Sequence, residues 1–348
     1  MPVTVVVGGQ FGSEGKGKVA HFLANETAAT VAVRVGGPNS GHTVIDASGR
    51  AVVFRQLPTA ALIPTVRCVL PAGSYLHIST LQSEIRIAEL DHDRLSIDPF
   101  SLIVDESDAD AELASGLTST IGSTGSGTGN GVIRRIQRSE RTTFAKDHPF
   151  LRPFIRNSVG LLAKELQRGA RVILEGTQGF GLSLLHSGNY PYCTSRDTTA
   201  SGFLSEAGLS PIDVDQVVMV IRAHPIRVGG NSGPLPDETD WEAISKESGS
   251  PNSIREYTTV TKKVRRVASF HADVVTRAIL CNKPTRIVLN HLDYVDYTCV
   301  ESRSLSPRAN AFVRQVEEFI GRRIDDVGLS PSLLIPRDSK FRRVIGYE

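Results

Sequence analysis

The chain has 348 residues, 40% of them hydrophobic, and its 39 lysine and arginine residues nearly balance 37 aspartate and glutamate residues, for a net charge of +2. This balance gives no global field that would recruit nucleic acid, and no apolar run approaches the roughly 20 residues that a membrane helix needs. Four cysteines lack metal-ligand spacing, and the sequence opens without a secretory leader. We therefore expect a cytoplasmic protein with reduced thiols and with neither nucleic-acid nor membrane partners.

The first predicted element is an apolar strand, Val3–Val7, that leads into a glycine-spaced turn carrying Lys16 and Lys18. Glycines let backbone N–H groups turn toward an anion, and the N-terminus of the helix that follows favours negative charge. The spacing differs from the common P-loop, because Gln10 stands where that pattern has glycine and Gly17 where it has serine or threonine. We predict a phosphate-binding loop, with a tight turn that binds nothing as the alternative.

Short β-branched runs recur along the chain and are followed by glycine loops or helical patterns, which is typical of parallel strands buried on both faces. The runs are Val3–Val7, Thr30–Val35, Leu102–Val104, Val172–Leu174, Val217–Ile221 and Ile287–Leu289. They predict an α/β fold with a mostly parallel central sheet and helices on both faces. Ligands should collect at the carboxyl edge of this sheet, where the loops after Val7, Val35 and Leu174 converge.

Helical periodicity covers Ile78–Leu90 and Leu151–Gln167, and Asp46–Arg50 predicts the turn of a hairpin. The segment Ser115–Gly131 is rich in glycine, serine and threonine, and its composition alone is that of a flexible linker. Gly229–Pro236 is a second segment for which we expect a mobile loop.

Four blocks resemble, in order, the motifs of adenylosuccinate synthetases. Gly12–Lys18 is similar to the family's Gly-Asp-Glu-Gly-Lys-Gly-Lys loop, Gly36–Thr43 to its Asn-Ala-Gly-His-Thr segment, Gly122–Gly129 to its second glycine loop, and Glu175–Gly179 with Tyr190–Ser195 to its nucleotide-monophosphate site. The resemblance covers nearly the whole chain. It implies a single adenylosuccinate synthetase-like domain over residues 1–348, related to P-loop NTPases, with inserted substrate loops.

Ser13 stands where the family has its catalytic aspartate. This points to a viral branch that resembles the N6-succino-2-amino-2'-deoxyadenylate synthases, which act on dGMP instead of IMP, and implies a host cytoplasm. A hydroxyl carries no charge for Mg²⁺ and is a base near neutral pH only when a neighbour activates it. Serine leaves room beside the purine 2-position, and its oxygen can accept from N1–H or N2–H. Glu14 offers another carboxylate, or is a solvated loop residue.

The family's reaction phosphorylates the purine O6, and the amine of L-aspartate then displaces phosphate. The resemblance implies a triphosphate clamp made of Mg²⁺, Lys16 and backbone donors, with His42 as the general acid. A histidine satisfied within a loop is the alternative for His42. The resemblance implies four catalytic residues, which are Ser13, Lys16, His42 and Gln178. It implies two metal ligands, Ser13 and Gly41. The triphosphate-binding residues that it implies are Gly12, Ser13, Glu14, Gly15, Lys16, Gly17, Lys18, Gly41, His42, Thr43, Asn290 and Asp293.

The resemblance also implies a site for the purine monophosphate. The implied dGMP-binding residues are Asn39, Ser123, Thr124, Arg138, Gln178 and Thr194. Arg138 follows Thr124 at the family spacing and matches an arginine that crosses a homodimer interface to the 5'-phosphate. The alternative is that Arg134, Arg135 and Arg138 form the solvated face of a helix.

The aspartate site of the family is a Thr-Gly-Arg-x-Arg loop. The matching residues here are Thr259, Val260, Thr261, Lys263 and Arg265, with Lys263 in place of the first arginine. Lysine offers a point charge where arginine offers a bidentate fork, so we expect carboxylate binding to survive with less geometric definition.

The segment that reads the base of the triphosphate departs from the family pattern. Asn290–Asp293 matches its Thr-Lys-x-Asp segment, with His291 in place of lysine, and Ser330–Arg337 replaces its Ser-x-Gly-Pro segment. In the viral branch this pattern accompanies ATP or dATP, so the resemblance favours an adenine nucleotide.

Three interpretations follow from the sequence. The first is a Mg²⁺-dependent ligase that joins L-aspartate to dGMP with ATP or dATP. The second is a GTP-dependent adenylosuccinate synthetase acting on IMP, and the third is a nucleotide-binding regulator without catalysis. Ser13 and the altered base-reading segments favour the first over the second. The retained His42, Gln178 and Arg265 argue against the third, because a regulator needs no aspartate site.

Overall fold

The computed structural model describes residues 2–258 and 262–337. Within these ranges the strands are β1 (Val3–Gly8), β2 (Val31–Arg34), β3 (His42–Ile45), β4 (Ala51–Phe54), β5 (Arg67–Leu70), β6 (Tyr75–Leu76), β7 (Leu95–Ile97), β8 (Leu102–Ile103), β9 (Val172–Glu175), β10 (Val214–Arg222), β11 (Ile226–Arg227), β12 (Glu238–Thr239), β13 (Arg266–Ala268), β14 (Arg286–Asn290), β15 (Asp326–Ser330) and β16 (Leu333–Pro336).

The α-helices in the same ranges are α1 (Lys16–Glu26), α2 (Ile78–Ile87), α3 (Glu106–Ala114), α4 (Leu117–Thr120), α5 (Thr128–Ile136), α6 (Ser158–Gln167), α7 (Ala200–Ala207), α8 (Trp241–Ser248), α9 (Ala272–Asn282), α10 (Thr298–Ser302) and α11 (Pro307–Ile320). Short 3-10 helices cover Thr59–Leu62, Ala145–Asp147, Pro149–Phe154, Phe180–Leu182, Pro211–Asp213 and Leu292–Tyr294. None of the described helices combines the length and the apolar character that a membrane span requires.

The central sheet has the strand order β16-β15-β14-β10-β1-β9-β2-β5-β7. Every neighbouring pair is parallel except β15 with β16. Successive residues of β1 enter the cores on opposite faces: Val5 belongs to the cluster that includes Phe203 of α7 and Val275 of α9, and Val6 to the cluster that includes Val19 of α1. The predicted α/β fold, with a mostly parallel sheet and helices on both faces, is confirmed.

The helix predicted over Leu151–Gln167 begins only at Ser158. Proline lacks an amide N–H and disfavours the α conformation of the residue before it, so the segment containing Pro153 forms a 3-10 helix instead. Asn157 then starts α6, because its side chain accepts a hydrogen bond from the Gly160 amide at 2.8 Å.

Four further predictions concern the two-stranded sheets and the helices near them. The run Leu102–Val104 lies outside the central sheet, since β8 pairs in parallel with the two-residue strand β6. The hairpin turn at Asp46–Arg50 is confirmed by the antiparallel pairing of β3 with β4. The helix predicted over Ile78–Leu90 ends at Ile87. The glycine-rich Ser115–Gly131 is not a linker throughout, because it contains α4 and the start of α5.

The loops after the central strands meet at the carboxyl edge of the sheet. A Cβ added at Gly8, the last residue of β1, would lie 2.8 Å from the carbonyl oxygen of Gln178, which follows β9. A Cβ added at Gly36, after β2, would lie 2.9 Å from Cγ2 of Thr177. These close approaches bring three predicted site segments together at one edge, as the strand pattern predicted.

Candidate active site

The loop between β1 and α1 turns through left-handed backbone conformations, with φ of 92° at Gly12, 57° at Ser13 and 89° at Gly15. Gly15 directly precedes the helix, and a Cβ added there would lie 2.6 Å from Nδ2 of Asn290, so the position needs glycine. Since α1 begins at Lys16, the N-terminus of this helix faces the loop. Left-handed turns before a helix N-terminus are features of phosphate-binding loops, and phosphate binding here stays a prediction.

Glu14 is fully buried, so the interpretation of it as a solvated loop residue is wrong. Its Oε1 accepts hydrogen bonds from the amides of Gln10 at 3.1 Å and Gly12 at 2.8 Å, and its Oε2 accepts from Nζ of Lys16 at 2.6 Å. The carboxylate fixes the loop from inside because it satisfies amides that would otherwise be buried without partners. It also neutralises the lysine charge that we predicted for the distal phosphates.

Lys18 lies apart from the loop amides. Its Nζ donates to the carbonyl oxygen of Ser330 at 3.0 Å, and burial lowers the pKa of Lys18 to about 8 while Asp293 opposes that shift. Burial also raises the pKa of Asp293 to about 6, against the effect of Lys18. The structure therefore places Lys18 beside the segments predicted to read the base of the triphosphate, which include Asp293 of the same predicted triphosphate-binding set.

Asn290 supports the phosphate loop from β14. Its Nδ2 donates to the carbonyl oxygen of Glu14 at 2.7 Å, and its Oδ1 is buried without a hydrogen-bond partner within the described part of the chain. The side chain is completely buried. In this structure the amide of Asn290 holds the backbone of the loop, and its predicted contact with the nucleotide stays a prediction.

His42 opens β3 and lies beside the first turn of α1, where a Cβ added at Gly17 would be 2.8 Å from the His42 Cβ. Its Nδ1 donates to Oε1 of Glu175 at 2.5 Å, and Nη1 of Arg34 contacts both partners, 2.5 Å from the carboxylate oxygen. Burial, followed by Arg34, lowers the pKa of His42 to about 3, although Glu175 raises it. The ring is neutral at pH 7, and a nearby anion such as a polyphosphate would favour its protonation.

Glu175 is the functional candidate that we missed, although it lies in a quoted motif. Its Oε2 accepts from the amide of Thr59 at 2.8 Å and from Oγ1 of Thr59 at 2.9 Å. The Thr59 hydroxyl oxygen also lies 2.8 Å from the carbonyl oxygen of Gly17, so its single proton has two acceptors within reach. Burial raises the pKa of Glu175, but Arg34 and His42 outweigh it and hold the pKa below its usual value. An ionised carboxylate therefore orients His42 against α1.

Ser13, which we predicted to lie beside the purine, is in contact with Arg265, which we predicted to bind aspartate. Nη1 of Arg265 donates to Oγ of Ser13, and Nε of Arg265 donates to the carbonyl oxygen of Tyr257 at 3.1 Å. Lys263, the other cation predicted for aspartate, is exposed. Thr259, Val260 and Thr261 lie outside the described residues. The structure thus brings one of the two predicted aspartate cations directly to the loop that carries Ser13.

Of the predicted monophosphate residues, Gln178 lies at the same edge of the sheet. A Cβ added at Gly12 would lie 3.9 Å from the carbonyl carbon of Gln178, and one added at Gly129, in α5, would lie 3.9 Å from Cβ of Ser195. Thr194 donates its amide to the carbonyl oxygen of Leu182 at 2.8 Å. Half-buried side chains on these segments belong to Asn39, Ser123, Thr124, Gln178 and Thr194.

Arg138 is distinct from the other arginines near α5. Arg134 is paired to Asp108 at 2.6 Å, and Arg135 donates to the carbonyl oxygen of Ala72 at 2.8 Å, so these two do not form a solvated helix face. Arg138 follows the helix in a left-handed conformation with φ of 55° and is exposed. Its guanidinium is accessible to a partner molecule.

The two predicted Mg²⁺ ligands lie in different segments, Ser13 in the loop between β1 and α1 and Gly41 directly before β3. No group of three histidine, cysteine, aspartate or glutamate side chains within residues 2–258 and 262–337 is arranged to hold a metal. The hydroxyl of Ser13 and the carbonyl of Gly41 are oxygen donors, which Mg²⁺ prefers, and this ion commonly keeps waters and substrate phosphates as its other ligands.

Comparisons with known proteins find curated relatives along nearly the whole chain. An adenylosuccinate synthetase of Methanococcus aeolicus is 34% identical over 340 residues, which cover 96% of this chain and 98% of the relative. The enzyme of the same name from Archaeoglobus fulgidus is 32% identical over 338 residues, covering 96% and 97%.

Two solved structures are also similar. The succinoaminodeoxyadenylate synthetase of cyanophage S-2L, bound to dGMP and to dATP as an energy donor, has a TM-score of 0.82 at 30% identity and covers 97% of this chain and 96% of its own. The fully ligated adenylosuccinate synthetase of Plasmodium falciparum has a TM-score of 0.84 at 20% identity, covering 97% and 100%, and shows the fold alone.

The family model of adenylosuccinate synthetase matches residues 5–143 and 139–300 of this chain. The match spans the phosphate loop, the His42 segment, both glycine-rich blocks and the basic segment that ends in Arg265. The chain therefore belongs to the adenylosuccinate synthetase family, whose members are carbon–nitrogen ligases.

Proposed function

We propose that this protein joins L-aspartate to dGMP with hydrolysis of ATP or dATP and forms N6-succino-2-amino-2'-deoxyadenylate, for 2-aminoadenine nucleotide biosynthesis. The observation that carries this proposal is Ser13, an exposed hydroxyl on a left-handed loop position where the family has aspartate. A shorter and uncharged side chain leaves space beside the 2-amino group of guanine. The cyanophage relative bound to dGMP and dATP supports the same substrate pair.

The proposed reaction has two steps, and different residues of this chain act in each. The glycine-spaced loop, the N-terminus of α1 and Lys16 bind the triphosphate. Ser13 and Gly41 would hold Mg²⁺, which would supply positive charge to the phosphates. His42, oriented by Glu175, donates a proton toward the leaving phosphate oxygen. Gln178 and the Ser13 hydroxyl orient the purine.

Aspartate then attacks C6, and inorganic phosphate leaves. Arg265 has the planar guanidinium that binds a carboxylate through two hydrogen bonds, and Lys263 adds an exposed positive charge. Because Arg265 lies against Ser13, an aspartate held there would be adjacent to the purine that Ser13 contacts. This adjacency supports a ligase rather than a nucleotide-binding regulator.

An adenine nucleotide is proposed as the energy donor because the base-reading segments depart from the family. Ser330 opens the segment that replaces Ser-x-Gly-Pro, and its carbonyl oxygen is taken by Lys18. His291 stands where cellular members have lysine, and burial lowers its pKa well below the usual value. Asp293 is retained from the family segment, and burial raises its pKa to about 6 against the effect of Lys18, so this residue alone does not distinguish adenine from guanine.

The second candidate is a GTP-dependent adenylosuccinate synthetase that acts on IMP. The curated relatives at 32–34% identity bear that name, and they support this alternative. This candidate differs from the first in its purine substrate and in its energy donor, whereas L-aspartate is a substrate of both.

We also propose that the active enzyme is a homodimer in which Arg138 reaches the partner's monophosphate site. Its exposure and its position after α5 support this role. A two-fold interface would place each copy of Arg138 in the opposite site.

The substrates can be tested by pairing dGMP, GMP or IMP with ATP, dATP or GTP in the presence of aspartate and Mg²⁺, with the succino product as the readout. We expect the highest kcat/KM for dGMP with ATP or dATP. Ser13→Asp should raise the use of IMP relative to dGMP, and Ser13→Ala serves as the uncharged control. Faster turnover of IMP with GTP by the wild-type protein would refute the proposed substrates.

A further inference from the structure

Arg222 connects two parts of the site. It ends β10, and its side chain is 1% exposed. Its Nη1 donates to the carbonyl oxygen of Ser13 at 2.9 Å and to Oε2 of Glu256 at 3.3 Å, and its Nη2 donates to Oε1 of Glu256 at 2.5 Å. One guanidinium therefore holds both the phosphate loop and the segment that precedes Arg265.

The backbone of Arg222 is fixed by Gln10. Oε1 of Gln10 accepts from the Arg222 amide at 2.9 Å, and Nε2 of Gln10 donates to the Arg222 carbonyl oxygen at 3.2 Å. Both side chains are completely buried. This pairing gives a physical reason for glutamine at a position where common P-loops have glycine, and it makes Arg222 a rigid anchor.

Glu256 lies between two guanidiniums. Besides its pair with Arg222, its Oε2 is 3.6 Å from Nη1 of Arg265, the atom that also donates to the Ser13 hydroxyl. Burial raises the pKa of Glu256, but Arg222 outweighs it and lowers the pKa to about 2. The ionised carboxylate lets two like charges approach the same serine without net repulsion.

We propose that Arg222 is a positioning residue for the reaction: through the Ser13 carbonyl and Glu256 it sets the distance between Ser13 and Arg265. This inference rests on the proposed function in assigning the purine to Ser13 and aspartate to Arg265. The guanidinium of Arg222 is committed to protein oxygens, so it acts through these neighbours. A displacement of about 1 Å between two reacting groups is enough to cost a hundredfold in rate.

The test compares Arg222→Met, which keeps the length and removes the charge, with Arg222→Lys and Glu256→Gln. Arg286→Met is the matched control, because Arg286 is also a sheet arginine paired to a carboxylate, Asp326 at 2.5 Å, but it begins β14 at the opposite end of the sheet. Melting temperature and active-site titration with a radiolabelled form of the triphosphate that the wild-type protein uses best give the folded fraction of each variant.

For Arg222→Met and Glu256→Gln we expect the KM for aspartate to rise about tenfold and kcat per folded molecule to fall about a hundredfold. The KM for the triphosphate should change less than about threefold, since Glu14 holds Lys16 independently of Arg222. Arg222→Lys should recover part of kcat, because one ammonium can reach only one of the two partners.

A merely structural role would lower the melting temperature in Arg222→Met and Arg286→Met alike and leave both constants unchanged per folded molecule. That result would overturn the inference. If Arg222→Met does not fold, Arg222→Lys and Glu256→Gln decide the question by the same readouts. Each variant is assayed with the purine that the wild-type protein uses best, so a preference for IMP would refute the proposed substrates while the aspartate readout still tests Arg222.

Discussion

Glu175→Gln is the sharpest test of how His42 is activated. The carboxylate is completely buried, and it accepts hydrogen bonds from Arg34, His42 and both the amide and the hydroxyl of Thr59. Glutamine has the same shape but only one accepting oxygen, so its NH₂ group must face either Arg34 and His42 or the Thr59 amide. The variant thus removes the negative charge and places the glutamine NH₂ group against another hydrogen-bond donor.

The magnitude follows from burial and from the role of the histidine. Removing one partner of a buried ion pair costs about 3–5 kcal/mol of stability, because the remaining charge, here that of Arg34, is left uncompensated. A general acid contributes about 10²–10⁴ in rate, so we expect kcat per folded molecule to fall at least about a hundredfold. Loss of the carboxylate also lowers the pKa of His42, so activity that needs the imidazolium should decline at lower pH than in the wild type.

The assay measures initial rates of succino-product formation across pH, corrected for the folded fraction. Glu84→Gln is the control, since Glu84 is another buried glutamate, which accepts from the amides of Gln56 at 3.0 Å and Leu57 at 2.8 Å but does not contact His42. This control should lose stability and keep kcat per folded molecule. A Glu175→Gln enzyme with kcat within about twofold of wild type and an unshifted alkaline limb would refute the role of Glu175.

Three further outcomes are expected. Arg265→Ala should weaken the use of aspartate by about 2–4 kcal/mol in kcat/KM with little change in nucleotide binding, and unchanged aspartate dependence would remove it from that site. Mixing Arg138→Ala with His42→Ala should restore activity after subunit exchange if Arg138 acts in trans, whereas a dead mixture would indicate action in cis. Burial lowers the pKa of His42 to about 3 and that of His224 to about 4, from 6.5. Both rings are protonated more readily when unfolded, so the free energy of unfolding should fall as pH drops below 6.5, by about 1.4 kcal/mol per pH unit for each histidine, and urea titrations showing no such slope would contradict this.

The central strands could be predicted because burial on both faces leaves a continuous apolar run. Each residue of β1 is buried, and Val3–Val7 carries that pattern in sequence. Leu102–Val104 has the same local character, yet it pairs with Tyr75–Leu76 outside the main sheet. Short runs do not encode their partners, so strand pairing at the periphery depends on contacts that a linear pattern does not contain.

Local patterns also miss the places where a side chain serves the interior of a loop. Glu14 follows Ser13 in a glycine-rich turn, a context typical of solvated residues, and its burial arises only when the amides of Gln10 and Gly12 turn inward. Glu175 is likewise indistinguishable in sequence from any acidic residue at a strand end. The partners of Glu14 lie within four residues of it and depend on how the loop turns. Those of Glu175 come from distant segments, which no spacing rule connects.

The charged side chains around Ser13 indicate a second effect of serine at this position, in addition to the space that it leaves beside the purine. Arg222 and Arg265 carry two positive charges and Glu256 carries one negative charge, so these side chains sum to +1. An aspartate at position 13 would bring the sum to zero, and its carboxylate would compete for the Arg265 guanidinium that contacts the Ser13 hydroxyl. Serine leaves that positive charge for the carboxylates of L-aspartate. Ser13→Asp should therefore raise the KM for aspartate with either purine, and an unchanged aspartate KM would limit the effect of Ser13 to the space beside the base.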